Sequence, residues 1–279
     1  MKLTFFLLTI ICHCFGRKCK LSFENPVEKS KKDHYIFTNT TSRTTVQITG
    51  EDCEMNILAV GGGGYGFGTD FLARGSGGGS GSVTFTTLKI AKNSKIEIGV
   101  GAHQEDSYVW DLNGNILAHA HCGLDGAVGW NTPGGNGYSG GGDYDPSAVA
   151  SGYQGGHGAS NGGNGGGQLG GTGSGANITA FIFENDINLT PGVGGKGWSF
   201  GGGGGGGVLV NGEGGFADGY AGGQGYGAGG AGGAGLQGVV IIEVKESQQF
   251  CTVNSNNRIL KDIRPNRMLY KSQNTINLT

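Results

Sequence analysis

Short runs with apolar residues at every second position alternate along this chain with long tracts in which large residues are sparse. Over residues 82–90, Val83, Phe85 and Thr87 alternate with Thr84, Thr86 and Leu88. Over residues 95–100, Ile96, Ile98 and Val100 alternate with Glu97 and Gly99. Both runs carry the period of strands with one buried face, and the Ala91-Lys92-Asn93-Ser94 turn joins them. Residues 35–38 and 44–49 are rich in β-branched and aromatic side chains and also predict strands. Residues 53–60 hold Met55, Ile57, Leu58 and Val60 and run directly into Gly61, which predicts a buried strand ending in a glycine loop. Residues 108–112 and 116–120 flank Asn113-Gly114-Asn115, a hairpin pattern because Asn and Gly tolerate positive φ. Residues 178–187 and 239–244 complete the predicted strands, and no segment predicts a helix.

Glycine changes this picture. Of 63 glycines, 61 fall within residues 61–238, including the unbroken run 201–207. A residue with no side chain buries nothing and loses the most conformational freedom on ordering. Such tracts are therefore either disordered or held by main-chain hydrogen bonds. Collagen is excluded, since glycine does not keep to every third position and the chain has only 5 prolines. Linkers are usually Gly/Ser-rich or charged, whereas here large residues such as Tyr65, Phe67, Trp198, Phe200 and Tyr226 punctuate the glycines, and strands bracket both tracts. The expected order is packed polyglycine II-type helices of three residues per turn, bonded between neighbours. The expected fold class is mainly β: β-sandwich-like strands with a large glycine-rich insert.

Residues 1–16 read as a secretory signal peptide, with an apolar stretch from Leu3 to Cys14 that is too short to span a bilayer. Residues 17–34 form a polar N-terminal segment, residues 35–246 the β and glycine-rich domain, and residues 247–279 a basic, flexible tail. Secretion leaves Cys19, Cys53, Cys122 and Cys251 for two disulfides in an oxidising compartment. The sequence does not choose among their pairings; one arrangement is a Cys19–Cys251 clamp around Cys53–Cys122. Asn39 and Asn177 are the favoured glycosylation sequons, ahead of Asn188, which Pro191 follows closely, and Asn277 near the end.

The formal net charge is −2, divided between an acidic body and a tail that holds Arg258, Lys261, Arg264, Arg267 and Lys271. These cations are dispersed and no stacking platform accompanies them, so a solvated tail is expected and nucleic acid is not.

Several constellations suggest chemistry, and each fails on context. Alternation puts His119 and His121 on one face of a strand with Cys122 adjacent, but no second His/Cys pair completes a four-ligand site, and Cys122 reads as a disulfide partner. Asp111, Asn113 and Asn115 resemble the start of a calcium loop, yet Ile116 stands where glycine is required. Asp143 and Asp145 read as solvated loop residues. Gly-rich spacings occur without the strand-to-helix context of a nucleotide site, and Gly194-Gly195-Lys196-Gly197 is no phosphate loop. No metal, cofactor or catalytic residue is expected.

Asn56-Ile57-Leu58-Ala59-Val60-Gly61-Gly62-Gly63-Gly64, the run from Ser80 through Ala102, Gly225-Tyr226-Gly227-Ala228-Gly229-Gly230 and Gly238-Val239-Val240-Ile241-Ile242-Glu243 resemble the secreted glycine-rich domain proteins of invertebrates. They are similar to the glycine-rich domain of the anaplastic lymphoma kinase and leukocyte tyrosine kinase receptors, and more loosely to phage tail-fibre tip adhesins. The resemblance covers most of residues 54–244. It implies polyglycine-type helices packed beside a β-sandwich, and binding roles in place of catalysis. The expected function is that of a secreted structural or adhesive protein contacting extracellular protein or glycan, with self-association compatible, and without a membrane span. Trp130, Tyr138, Tyr144 and Tyr153 are the expected contact residues, since large rings on a rigid backbone give area at small entropic cost. The alternative is a soluble signalling ligand that engages a receptor through its glycine-rich face.

Overall fold

The computed structural model describes residues 19–25, 27–31, 34–67, 75–128, 187–195, 202–219 and 222–245. In chain order the strands are β1 Lys20–Phe23, β2 Glu28–Lys31, β3 His34–Phe37, β4 Thr44–Thr49, β5 Cys53–Val60, β6 Val83–Ile90, β7 Lys95–Gly99, β8 Ser107–Asp111, β9 Ile116–Ala120, β10 Leu189–Pro191, β11 Val208–Val210 and β12 Val239–Val244. No helix occurs among the described residues. One five-stranded sheet runs β1-β4-β7-β8-β9, a second runs β2-β3-β12-β5-β6, and β10 pairs with β11. Every strand pair is antiparallel.

The two large sheets face each other across one core. Val46, Ile48, Ile96, Ile98 and Val109 enter it from the first sheet; Phe37, Met55, Ile57, Val240 and Ile242 enter from the second. Burial of each large aliphatic side chain contributes about 1.5–3 kcal/mol. The second sheet has another apolar layer on its far face, where Ile36, Leu58, Val60, Val239 and Ile241 pack with Val208 and Val210 of β11. β5 and β12 thus alternate between two cores, which is why Ile57-Leu58-Ala59-Val60 and Val239-Val240-Ile241-Ile242 read as unbroken apolar runs.

Two segments depart from the sequence reading. The polar N-terminal segment supplies β1 and β2; β1 is an edge strand whose Leu21 and Phe23 pack on the core while Lys20 and Ser22 face outward. The Ala91–Ser94 turn does not close a hairpin. β6 pairs with β5 in one sheet and β7 pairs with β4 and β8 in the other, so the chain crosses between sheets there, with Asn93 at φ 63°.

The disulfide expectation is also corrected. Cys19 bonds to Cys53, joining the entry of β1 to the start of β5 and so tying the two sheets together. The Cys19–Cys251 and Cys53–Cys122 arrangement is therefore ruled out. Cys122 carries a free thiol, and Cys251 lies outside the described residues.

Beyond Val60 the chain leaves the sheet and its hydrogen bonding changes period. Gly61, Gly64 and Phe67 donate their N–H groups to the carbonyls of Ser82, Gly79 and Ser76, while Gly63 and Gly66 donate to Leu236 and Gly233. The segment at 76–82 repeats this: Ser76, Gly79 and Ser82 donate to Ala127, Leu124 and His121, and Gly78 and Gly81 donate to Gly230 and Gly227. Gly202 and Gly205 donate to Gly75 and Gly78. Every third residue faces the same neighbour, and successive residues face different ones, which is the bonding of packed extended helices with three residues per turn. At the glycines these contacts leave no room for side chains. A Cβ on Gly63, Gly78, Gly204 or Gly229 would come within 3.0 Å of main-chain atoms of Ala228, Gly64, Gly229 and Gly78 respectively. Gly202–Gly207 from the long glycine run are all buried in this lattice.

Candidate functional site

The β8–β9 hairpin positions the polar cluster with the richest chemistry among the described residues. Its loop is organised by Asp111, whose Oδ1 accepts N–H bonds from Asn113 (2.8 Å) and Asn115 (2.9 Å) and whose Oδ2 accepts from the Asn115 amide (2.7 Å). Gly114 takes φ 81°, so the turn uses its glycine as the sequence predicts. The Asp111-Asn113-Asn115 pattern is thus a turn device. Hydrogen bonds from the Asn115 side chain and main chain hold the Asp111 carboxyl below its ordinary range.

Hairpin register then decides what meets at the other end. Ser107 lies opposite Ala120 and Tyr108 opposite His119, so Asp106, one residue before β8, comes beside His121, one residue after β9. Asp106 Oδ2 lies 2.7 Å from His119 Nε2 and 3.3 Å from His121 Nδ1, and accepts the Tyr108 hydroxyl at 3.1 Å. Its other oxygen accepts the Cys122 main-chain N–H at 2.7 Å. One ligand atom from each of Asp106, His119 and His121 falls within 4.8 Å of the others. His119 and Asp106 are largely covered, while the His121 side chain is 72% exposed, leaving the cluster open to solvent on one side.

Partial burial pushes the Asp106 carboxyl up, but bonds from His119, the Cys122 N–H and the Tyr108 hydroxyl outweigh it and hold the group well below the usual carboxylate range. Burial, and then the hydrogen bond with Asp106, push the Cys122 thiol up to about 11. At neutral pH this sulfur is a thiol, not the thiolate that nucleophilic chemistry requires. Burial and Asp106 likewise raise the Tyr108 hydroxyl.

An aromatic ladder leads away from the cluster across the outer face of the first sheet. The His119 ring meets His121 at 4.0 Å and stacks on Tyr108 at 4.2 Å; Tyr108 stacks on Trp110 at 4.8 Å, and the Arg43 guanidinium sits 4.3 Å over Trp110. Gly99 on the adjacent strand makes room for the ring, since a Cβ there would lie 3.0 Å from Trp110.

A second polar row crosses the far face of the other sheet. His34, Glu243, Asn56 and Thr87 are successive register partners on β3, β12, β5 and β6. His34 Nε2 lies 3.0 Å from Glu243 Oε1, Asn56 donates to Glu243 Oε2 at 2.7 Å, and Thr87 donates to Asn56 at 2.7 Å. His34, Glu243 and Asn56 are buried.

Against the residues singled out from sequence, the structure brings His119 and His121 together as alternation requires and adds Asp106, which sequence reasoning missed. The pairing of Asp106 with His121 depends on the register shift between Val109 and Trp110, which a count from the Asn-Gly turn does not show: Trp110 lies opposite Ile116, but Ser107 opposite Ala120. Asn39 is exposed in the β3–β4 loop, where its side-chain oxygen accepts from Thr41 N and Oγ1, both at 2.8 Å. Trp130, Tyr138, Tyr144, Tyr153 and Asn177 lie outside the described residues. Compared with known protein families, curated proteins and solved structures, the chain finds no match.

Proposed function

We propose that this chain is a secreted, extracellular glycine-rich protein with a structural or adhesive role, working through contact with protein or glycan and without catalysis. The observation that carries this reading is the period-three lattice of residues 61–67, 75–82 and 202–207, in which main chain packs on main chain. Such a body is stiff and presents few reactive groups, properties suited to a scaffold. The Cys19–Cys53 bond fits an oxidising compartment, and no helix among the described residues is long and apolar enough to cross a membrane. The resemblance to secreted glycine-rich domains points the same way. Contact surfaces in this reading are the Trp110–Tyr108–His119 ladder and the aromatics Trp130, Tyr138, Tyr144 and Tyr153, which suit stacking against a sugar or an aromatic partner.

Exposed Val193 and Phe216, flanking the glycine lattice, favour the second reading, a soluble signalling ligand or modulator that engages a receptor through this side. Fractionation of the native source separates the two. Recovery in insoluble or cross-linked material is the expected result. Recovery as a freely soluble, monodisperse monomer that binds cells saturably would favour the ligand, and a turnover lost on changing one polar side chain would sink both.

A further inference from the structure

We propose that Asp106, His119 and His121 form a binding site for one divalent first-row transition-metal ion of the zinc and copper class. The inference is independent of the functional reading above. Two imidazoles and a carboxylate suit that class, whereas calcium and magnesium take oxygen ligands. The geometry is close to what an ion needs. Bonds of about 2.0–2.2 Å in a tetrahedral site place ligand atoms about 3.3 Å apart; here the carboxylate oxygen lies 2.7 Å and 3.3 Å from the two ring nitrogens, with all three atoms within 4.8 Å. The cluster closes on an ion by small rotations of the exposed His121 ring.

The surroundings are those of a held site. Asp106 is oriented by the Cys122 N–H on its second oxygen, a supporting contact of the kind that fixes ligands at metal centres. His119 is fixed in plane by its stack on Tyr108. Three protein ligands leave a coordination position on the solvent side, open to water or to a donor group from a partner.

The location gives the ion a mechanical role. Glu105 accepts the Gly62 N–H at 2.9 Å, Gly123 donates to Gly62 O at 2.8 Å, and His121 O accepts the Ser82 N–H at 2.8 Å. Both flanks of the site therefore grip the start of the glycine lattice where it leaves β5. An ion bridging Asp106 to His119 and His121 clamps those flanks together and ties the sandwich to the lattice.

The test is titration of the full chain, freed of metal by chelation, with Zn²⁺ and Cu²⁺ by calorimetry, alongside thermal unfolding. One ion should bind per chain, raise the melting temperature, and remain bound in a large excess of Ca²⁺ or Mg²⁺. His121→Ala, which removes an exposed side chain, and Asp106→Asn, which keeps its volume, should each weaken Zn²⁺ binding at least tenfold and abolish the thermal shift. His103→Ala should leave both unchanged. Equal Zn²⁺ affinity in the parent and His121→Ala, loss of binding with His103→Ala alone, absence of stoichiometric binding, or displacement by Ca²⁺ would each overturn the proposal.

Discussion

In the sandwich, Ile57 and Ile241 lie in adjacent strands and fill opposite cores; in the lattice, Gly63 and Gly78 fill nothing and their value is the space they leave. A strand bonds to neighbours along two directions and packs side chains along the other two. A lattice helix bonds along three directions, and where it is glycine on every side it has none left for packing. The sandwich is consequently forgiving of aliphatic exchange, because a core relaxes around a similar volume. At its close-approach glycines the lattice tolerates no added atom, because the group in the way is a carbonyl already bonded elsewhere.

The largest expected effect tests that contrast directly. Gly63→Ala combined with Gly78→Ala should cost more than about 5 kcal/mol, enough to unfold a domain of ordinary stability, since each Cβ forces main chain apart. Gly212→Ala is the control: it has φ 83° but nothing within 4 Å of its Cβ, so about 1–2 kcal/mol is expected from backbone strain alone. Equal losses in denaturant unfolding would show that lattice and turn glycines are not distinct.

Next comes the polar row where the second sheet meets the far apolar layer. Glu243→Ala leaves Asn56 and His34 facing a vacated acceptor in a buried setting, and chemical denaturation should show a loss of about 3–5 kcal/mol. A cost near that of an exposed substitution would mean that water replaces the carboxylate. The disulfide follows. Cys19→Ser should lose about 2–4 kcal/mol in sandwich stability, and non-reducing peptide mapping of the parent should recover Cys19 linked to Cys53; a Cys53–Cys122 peptide would refute the cross-sheet tie.

The smallest effect is a titration. Because Asn115 lowers the folded Asp111 carboxyl, the order of the β8–β9 turn should be complete above the unfolded carboxylate value of about 3.9 and lost as pH falls through the folded value below it. Carboxyl-carbon chemical shifts of Asp111 against pH read this directly, and a midpoint at the ordinary value would break the turn assignment.

Much of the sandwich was legible in the sequence. The predicted strands at 44–49, 53–60, 116–120 and 239–244 coincide with β4, β5, β9 and β12, because long apolar or alternating runs leave little choice of period. β1 escaped because only Leu21 and Phe23 carry its pattern, set among Lys20, Ser22 and Glu24. The crossover after Ile90 was misread because a turn centred on Asn93 has the same local chemistry whether the chain returns to its own sheet or enters the facing one. Partner choice is a tertiary property, decided here by which strand completes each core. The same limit applied to Asp106, separated from His119 by the whole hairpin and brought beside it through a register shift between Val109 and Trp110 that the residue pattern does not mark. Lattice order was inferable from glycine content and bracketing strands, but not the identity of each helix's three neighbours, since glycines are interchangeable as letters.

The three-residue repeat has a consequence for how such a protein changes length. Deleting one residue between Gly61 and Phe67 would turn every later N–H by a third of a revolution, aiming bonds meant for Ser76 and Gly79 at the segment that holds Gly233 and Leu236. Only insertions or deletions in units of three keep the remaining donors in phase. A lattice of this kind can lengthen or shorten by whole turns, as a screw advances by its pitch, and is closed to the single-residue slips that loops absorb freely.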